Sequence, residues 1–232
     1  MAAARPHGQS SAAGLSGSGD PVTLYCDVDG TLLDSSARHE KLLRDLLAAR
    51  GLLWPAAAPD YLRYKADGHS TKAWLMLAGF APETCAELAD AWRTGIEQPE
   101  YLALDTVYPD TLPFLQAMRA AGRDVVLISA RQNADALRQT LARCGILPLT
   151  VELLVVPPVH ADRRKAELLR PRIAPGDIML GDTEVDKSCA ELLGLPWIVL
   201  DRGFRSAVYW QAHGVQPAHD LHEAARRLQN LP

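Results

Sequence analysis

The sequence predicts an α/β protein, a doubly wound parallel sheet core carrying an inserted α-helical subdomain. Three observations predict it. Five short apolar runs rich in Val, Ile and Leu alternate with segments of helical periodicity along the 232 residues. The first of these runs breaks off abruptly into Asp27-Val28-Asp29-Gly30-Thr31. From Ser36 to about Asp105 the pattern stays helical with no strand signal, too long a stretch for one crossover. The expected division is a disordered lead-in over 1–20, a core built from 21–35 and 106–232, and a helical insert over 36–105.

Each element has its own signal. Val22 to Tyr25 is rich in strand formers and opens the sheet. Ser36 to Arg50 carries Leu42, Leu43, Leu46 and Leu47 at helical spacing, and Gly51 stops it. Tyr61 to Gly68 reads as a short helix or a loop. Ser70 is placed to cap the next helix, which Gly79 closes, and Pro82 opens another that runs to about Gln98. Thr111 to Ala121 is a helix stopped by Gly122. The second strand is Asp124 to Ser129. Asn133 caps a helix ending at Cys144-Gly145. Val151 to Val156 is the third strand, and a basic helix follows around Arg163 to Arg170. Asp177 to Leu180 is the fourth strand, Glu184 to Leu193 a helix, Trp197 to Leu200 the fifth strand, and Ala218 to Gln229 the last helix.

Composition excludes several classes. The apolar fraction of 48% suits a globular protein with a sizeable core, and a net charge of -4 argues against nucleic acid or an anionic membrane as partner. No apolar run has the length of a membrane span. The first twenty residues are rich in Ala, Gly and Ser without the apolar centre of a secretory signal. Cys26, Cys85, Cys144 and Cys189 are widely spread and show no metal or disulfide spacing. Buried thiols in a reducing, cytoplasmic setting are expected.

The polar signals gather at strand ends. The first strand ends at Asp27 and Asp29, the second at Ser129-Ala130-Arg131, and the fourth at Gly181-Asp182-Thr183 with Asp186 one turn on. Lys165 lies near the start of the helix after the third strand. In a parallel sheet such ends meet at one edge, where sites form. Asp27, Asp29 and Asp182 offer hard oxygens for Mg²⁺, and the close carboxylates of Asp27 and Asp29 repel each other unless a cation or a shared proton relieves them. Gly30 permits a sharp turn close to a ligand. Ser129 and neighbouring amides can donate to a phosphate, and Lys165 brings a point charge. Asp186 can orient Lys165 or hold a metal-bound water. Taken singly, Ser129 is a turn residue, Lys165 a solvated helix charge, and Asp182 and Asp186 helix-start acids. Their convergence on one edge argues for a site.

This set resembles the haloacid dehalogenase-like hydrolase superfamily, particularly its phosphatases. The resemblance rests on Asp27-Val28-Asp29-Gly30-Thr31, Ser129 closing an apolar strand, Lys165 near a helix start, and Gly181-Asp182-Thr183-Glu184-Val185-Asp186. It implies a Rossmann-like core with a helical cap and a Mg²⁺-dependent phosphatase acting on a small phosphorylated metabolite. By resemblance, Asp27 attacks phosphorus and becomes an aspartyl-phosphate, and Asp29 exchanges the proton. The Asp29 backbone, Asp27 and Asp182 hold Mg²⁺. Gly30, Thr31, Ser129, Ala130 and Lys165 bind the phosphoryl group, and Thr183 and Asp186 support them. Arg131 reaches an anionic part of the substrate or faces solvent. In the cap, Lys65, His69 and Lys72 are offered as substrate contacts and Gly68 as a source of mobility. A phosphomutase, a phosphorelay receiver and a catalytically dead scaffold are the rivals, and either a monomer or a homodimer is compatible with the sequence.

Overall fold

A computed structural model describes residues 22–230. The lead-in expected over 1–20 lies outside the described residues. In chain order the elements begin with β1 (Thr23–Cys26), β2 (Leu33–Asp34) and α1 (Ser36–Ala48). Four more helices follow, α2 (Tyr61–Ala66), α3 (Thr71–Leu77), α4 (Pro82–Gly95) and α5 (Pro99–Leu102), then β3 (Thr106–Val107) and α6 (Thr111–Ala120). The remainder is β4 (Asp124–Ala130), α7 (Ala134–Arg143), β5 (Glu152–Val156), α8 (Ala161–Leu169), β6 (Ile178–Gly181), α9 (Glu184–Leu193), β7 (Trp197–Val199), α10 (Ala207–Ala212) and α11 (Leu221–Gln229).

The main sheet has the order β5-β4-β1-β6-β7, and every pair in it is parallel. Alternation along its strands splits the core in two. Leu24 and Cys26 of β1, Val125 and Leu127 of β4, and Ile178 and Leu180 of β6 face one side, against Phe114 of α6, Leu137 of α7 and Leu221 of α11. Tyr25, Val126, Ile128 and Met179 face the other, against Ala166 and Leu169 of α8 and Cys189 of α9. Asp27 shares the parity of Tyr25, so it leans towards α8 and α9. Cys26 packs in the opposite layer with no exposed surface, as alternation requires.

The helices α1 to α4 carry an apolar cluster of their own. Leu43, Leu47, Tyr61, Trp74, Leu75, Cys85 and Leu88 are all buried in it. Trp74 anchors the cluster, with its indole N–H donating to Pro59 O at 2.8 Å and its ring against Trp54 and Tyr61. The ambiguous stretch at Tyr61 is a helix, capped by Asp60, whose carboxylate accepts from the Arg63 N–H. The long helix expected to reach Gln98 ends at Gly95, and Pro99 starts α5 instead. The two-residue strands β2 and β3 pair antiparallel where the chain leaves and re-enters the core. They are too short for a periodic signal. The helix α10 escaped sequence reading for the same reason.

Candidate active site

Asp27 takes its place because β1 ends there, its backbone N–H donating to Leu180 O at 2.8 Å. Lys165 of α8 reaches under it. The Lys165 side chain is 1% exposed, and its Nζ donates at 2.7 Å to Asp27 Oδ1 and at 2.7 Å to Asp186 Oδ1. Asp186 is held in turn by the Thr183 hydroxyl, which donates to its Oδ2 at 3.0 Å. Asp182 completes the group, and carboxylate oxygens of Asp27, Asp182 and Asp186 lie within 4.8 Å of one another. Burial and the neighbouring acids push the Asp27 and Asp182 carboxyls up. Burial alone would lower Lys165, but Asp186 and Asp27 outweigh it and keep the ammonium charged.

Three buried carboxyl groups share one lysine, and among the described residues no other cation is bonded to them. That imbalance, on oxygen ligands alone, suits a hard divalent cation such as Mg²⁺.

Gly30 and Gly203 make the crowding feasible. Gly30 has φ +79°, and a Cβ there would stand 2.2 Å from Asp182 Oδ2. Gly203 brings the loop after β7 against Gly30, and the next residue, Phe204, donates its N–H to Asp182 Oδ2 at 2.8 Å. The Thr31 hydroxyl also serves Asp182, donating to Oδ1 at 3.3 Å from a fully buried position. Ser129 is buried at the end of β4, next to Ala130.

The Asp29 side chain turns away from this cluster. Arg131 grips it with a two-pronged contact, Nε to Oδ2 at 2.8 Å and Nη2 to Oδ1 at 2.5 Å. Arg38 adds Nη2 to Oδ1 at 2.7 Å and Ser35 its hydroxyl at 2.8 Å. Asp105 closes the network with contacts to Arg131 at 3.1 Å and Arg38 at 3.2 Å. Burial by itself would raise the Asp29 carboxyl, but Arg131 and Arg38 override it and hold the group well below the usual carboxylate range. Asp29 in this arrangement is an anion. Arg131 is buried and does not face solvent, which removes one of its two expected placements.

A cavity of about 570 Å³ opens beside this network, with Asp29, Arg38 and Arg131 in its wall. Its apolar side includes His39, Trp92 and Phe204. His39 stacks on Phe204 at 4.4 Å and meets Trp92 edge-on at 4.9 Å. Burial and the nearby Lys65 and Arg38 charges hold its imidazole neutral. Sequence reading missed Arg38, His39, Asp105 and Phe204. The glycine in Asp201-Arg202-Gly203, just past a strand end, was the one available signal.

The expected cap contacts separate. Lys65 and Lys72 line a second cavity of about 480 Å³ together with Trp92 and Arg93, which also border the first. Lys65 Nζ sits 4.7 Å from the Trp92 ring centroid. His69 does not join them; it is exposed and stacks on Tyr64. Gly68 is exposed with φ +95°, and a Cβ there would strike the Tyr209 ring at 2.6 Å.

Residues 24–191 match the family described as haloacid dehalogenase-like hydrolase. A phosphoglycolate phosphatase of Rhodobacter capsulatus is 26% identical over 194 residues, 78% of this chain and 85% of the relative. Another from Cereibacter sphaeroides is 28% identical over 216 residues, 87% of this chain and 96% of the relative. Among solved structures, a haloacid dehalogenase-like family protein from Streptococcus pneumoniae superposes with a TM-score of 0.71. It is 17% identical and covers 90% of this chain and 99% of its own, a likeness of fold.

Proposed function

The chain belongs to the haloacid dehalogenase-like hydrolases, and from that membership and the geometry around Asp27 we propose a phosphatase working through an aspartyl-phosphate with Mg²⁺. The observation that carries the reading is the buried Asp27–Lys165–Asp186 chain beside Asp182. A scaffold has no physical need for three clustered acids.

Asp27, Asp182 and the Asp29 backbone would hold the Mg²⁺, with Asp186 close by; the bound ion would offset the charge of the incoming phosphate. An Asp27 oxygen attacks phosphorus, the bond to the alcohol oxygen breaks, and that oxygen takes a proton. Water then attacks the aspartyl-phosphate, inorganic phosphate leaves, and Asp27 is regenerated. Lys165 balances the charge on Asp27 and on the transferring group. Ser129 and Ala130, at the end of β4, would hold the phosphoryl oxygens. Asp29, two residues along the chain from Asp27, is the proton carrier in this reading. Its anionic state suits the activation of water, and protonating the alcohol requires Arg131 to loosen its grip.

The helical block over 36–105 serves as a cap. Arg38, His39, Trp92 and Ile96 come from it to the cavity wall, and such a cover excludes water during transfer. The substrate is a small soluble phosphomonoester. Because the relatives bear the name, 2-phosphoglycolate is the first candidate.

The test is phosphate release from 2-phosphoglycolate with Mg²⁺ by wild type and Asp27→Asn. Wild type should turn over, and the variant should lose at least about a thousand-fold with its melting temperature kept. An Asp27→Asn protein that releases phosphate at the wild-type rate overturns the mechanism.

A further inference from the structure

The network around Asp29 leaves buried polar atoms without hydrogen bonds, the donors Arg131 Nη1 and Arg38 Nε and the acceptor Asp105 Oδ1. Arg131 and Arg38 are both buried, with side chains 2% and 3% exposed. Asp29 Oδ1 accepts from three donors at once, namely Ser35, Arg38 and Arg131. Yet, among the described residues, Arg131 Nη1 and Arg38 Nε make no hydrogen bond, Arg38 Nε having only its ion-pair contact with Asp105 Oδ1 at 3.2 Å. Buried donors left unmet are costly and call for an explanation. Arg38 and Arg131 are both lining residues of the 570 Å³ cavity. Arg38 comes from the helical block and Arg131 from the end of β4, so a group placed between them would touch both bodies.

We propose that Arg131 and Arg38 form a subsite for a second anionic group of the substrate, a carboxylate on the alcohol portion. The inference rests on the reading of Asp27 as the phosphoryl acceptor and adds what recognises the rest of the molecule. A carboxylate is favoured over other anions because the fork already grips one. Asp29 sits in it with two parallel N–H···O contacts at 2.8 and 2.5 Å, a planar match of guanidinium to carboxylate. A substrate carboxylate entering the cavity takes the unmet donors and competes with Asp29 for the fork. Specificity then arises twice. The acid-bearing phosphomonoester gains the arginine contacts. A neutral analogue leaves the donors unmet in its complex.

The test measures binding in a protein that does not turn over. Titration calorimetry on Asp27→Asn with Mg²⁺ compares 2-phosphoglycolate with ethyl phosphate, which lacks the carboxylate. The acid is expected to bind roughly 10- to 100-fold more tightly, the range of charge-assisted contacts. In Asp27→Asn combined with Arg131→Met that preference should fall to within about threefold, and Arg38→Met should reduce it in the same direction. Equal affinity for the two ligands in Asp27→Asn overturns the subsite, and so does a preference that survives both arginine variants. If Arg131→Met does not fold, the Arg38→Met arm and the two-ligand comparison still decide. A wild-type enzyme that releases no phosphate from either compound removes the phosphatase reading without altering the binding preference, so the two failures are distinguishable.

Discussion

Lys165 Nζ lies 2.7 Å from Asp27 Oδ1, and both residues are buried. The same ammonium is 2.7 Å from Asp186, so one cation holds an acid at the end of β1 and an acid in the first turn of α9. Lys165→Met leaves three buried carboxylates facing one another. Breaking such a pair costs about 3–5 kcal/mol, or a fall of roughly 6–20 °C in melting temperature for a chain of this size. Calorimetry without added metal checks it. A melting temperature unchanged within a degree would mean that the pair is not a structural link.

The same cluster of acids makes metal binding measurable without catalysis. Mg²⁺ should raise the melting temperature of wild type in a concentration-dependent way, because a ligand of the folded state adds stability. Asp182→Asn should remove most of that rise. Equal rises in both proteins would place the ion elsewhere.

Gly30→Ala tests the crowding directly. The added methyl would stand 2.2 Å from Asp182 Oδ2 on a backbone with φ +79°. Strain of about 1–3 kcal/mol is expected, with loss of the Mg²⁺-dependent rise in melting temperature. A Gly30→Ala protein with both properties intact would show that the loop relaxes freely.

Lys65 gives a pH signature. Burial, then the Arg205 charge, lower its ammonium from 10.5 to about 8. Its folded value lies below its unfolded value, so between about pH 8 and 10.5 the unfolded chain binds more protons. The contribution of Lys65 therefore makes stability rise with pH across that window. Lys65→Met should abolish this part of the rise, seen as a stability difference between variant and wild type that changes from pH 8 to 10.5. In the same range Lys65 should acylate before the exposed Lys41 and Lys72, a ranking that peptide mass spectrometry reads. Parallel pH curves together with an even acylation pattern would sink the assignment.

Trp74 probes the helical block alone. Trp74→Ala should cost about 3–5 kcal/mol in the cluster it anchors, and limited proteolysis should then cut first between Arg50 and Arg93. First cuts near α8 or α9 would show that the cluster is not an independent source of stability.

Much of this arrangement was legible in the sequence, for physical reasons that differ by region. The five core strands were visible because a parallel sheet covered on both faces leaves near-continuous apolar runs. The acids at Asp27 and Asp182 and the lysine at 165 were visible because such groups are out of place at strand ends and helix starts unless they meet. The network of Arg38, Asp105 and Arg131 was not visible. Its partners are far apart in the chain, Asp29 and Arg131 by 102 positions, and each looks singly like a surface charge. Phe204 was hidden for a similar reason, since its contribution to Asp182 is a backbone N–H that no side-chain identity reports.

The alternation along β1 has a consequence for how this chain can vary. Leu24 and Cys26 belong to one apolar layer, Tyr25 to the other, and Asp27 follows Tyr25 by parity. A substitution among Leu24, Tyr25 and Cys26 changes one packing contact and can be absorbed by neighbours. An insertion or deletion of one residue in the same stretch exchanges the layers and turns Asp27 away from Lys165. This segment should therefore drift by replacement while holding its length fixed.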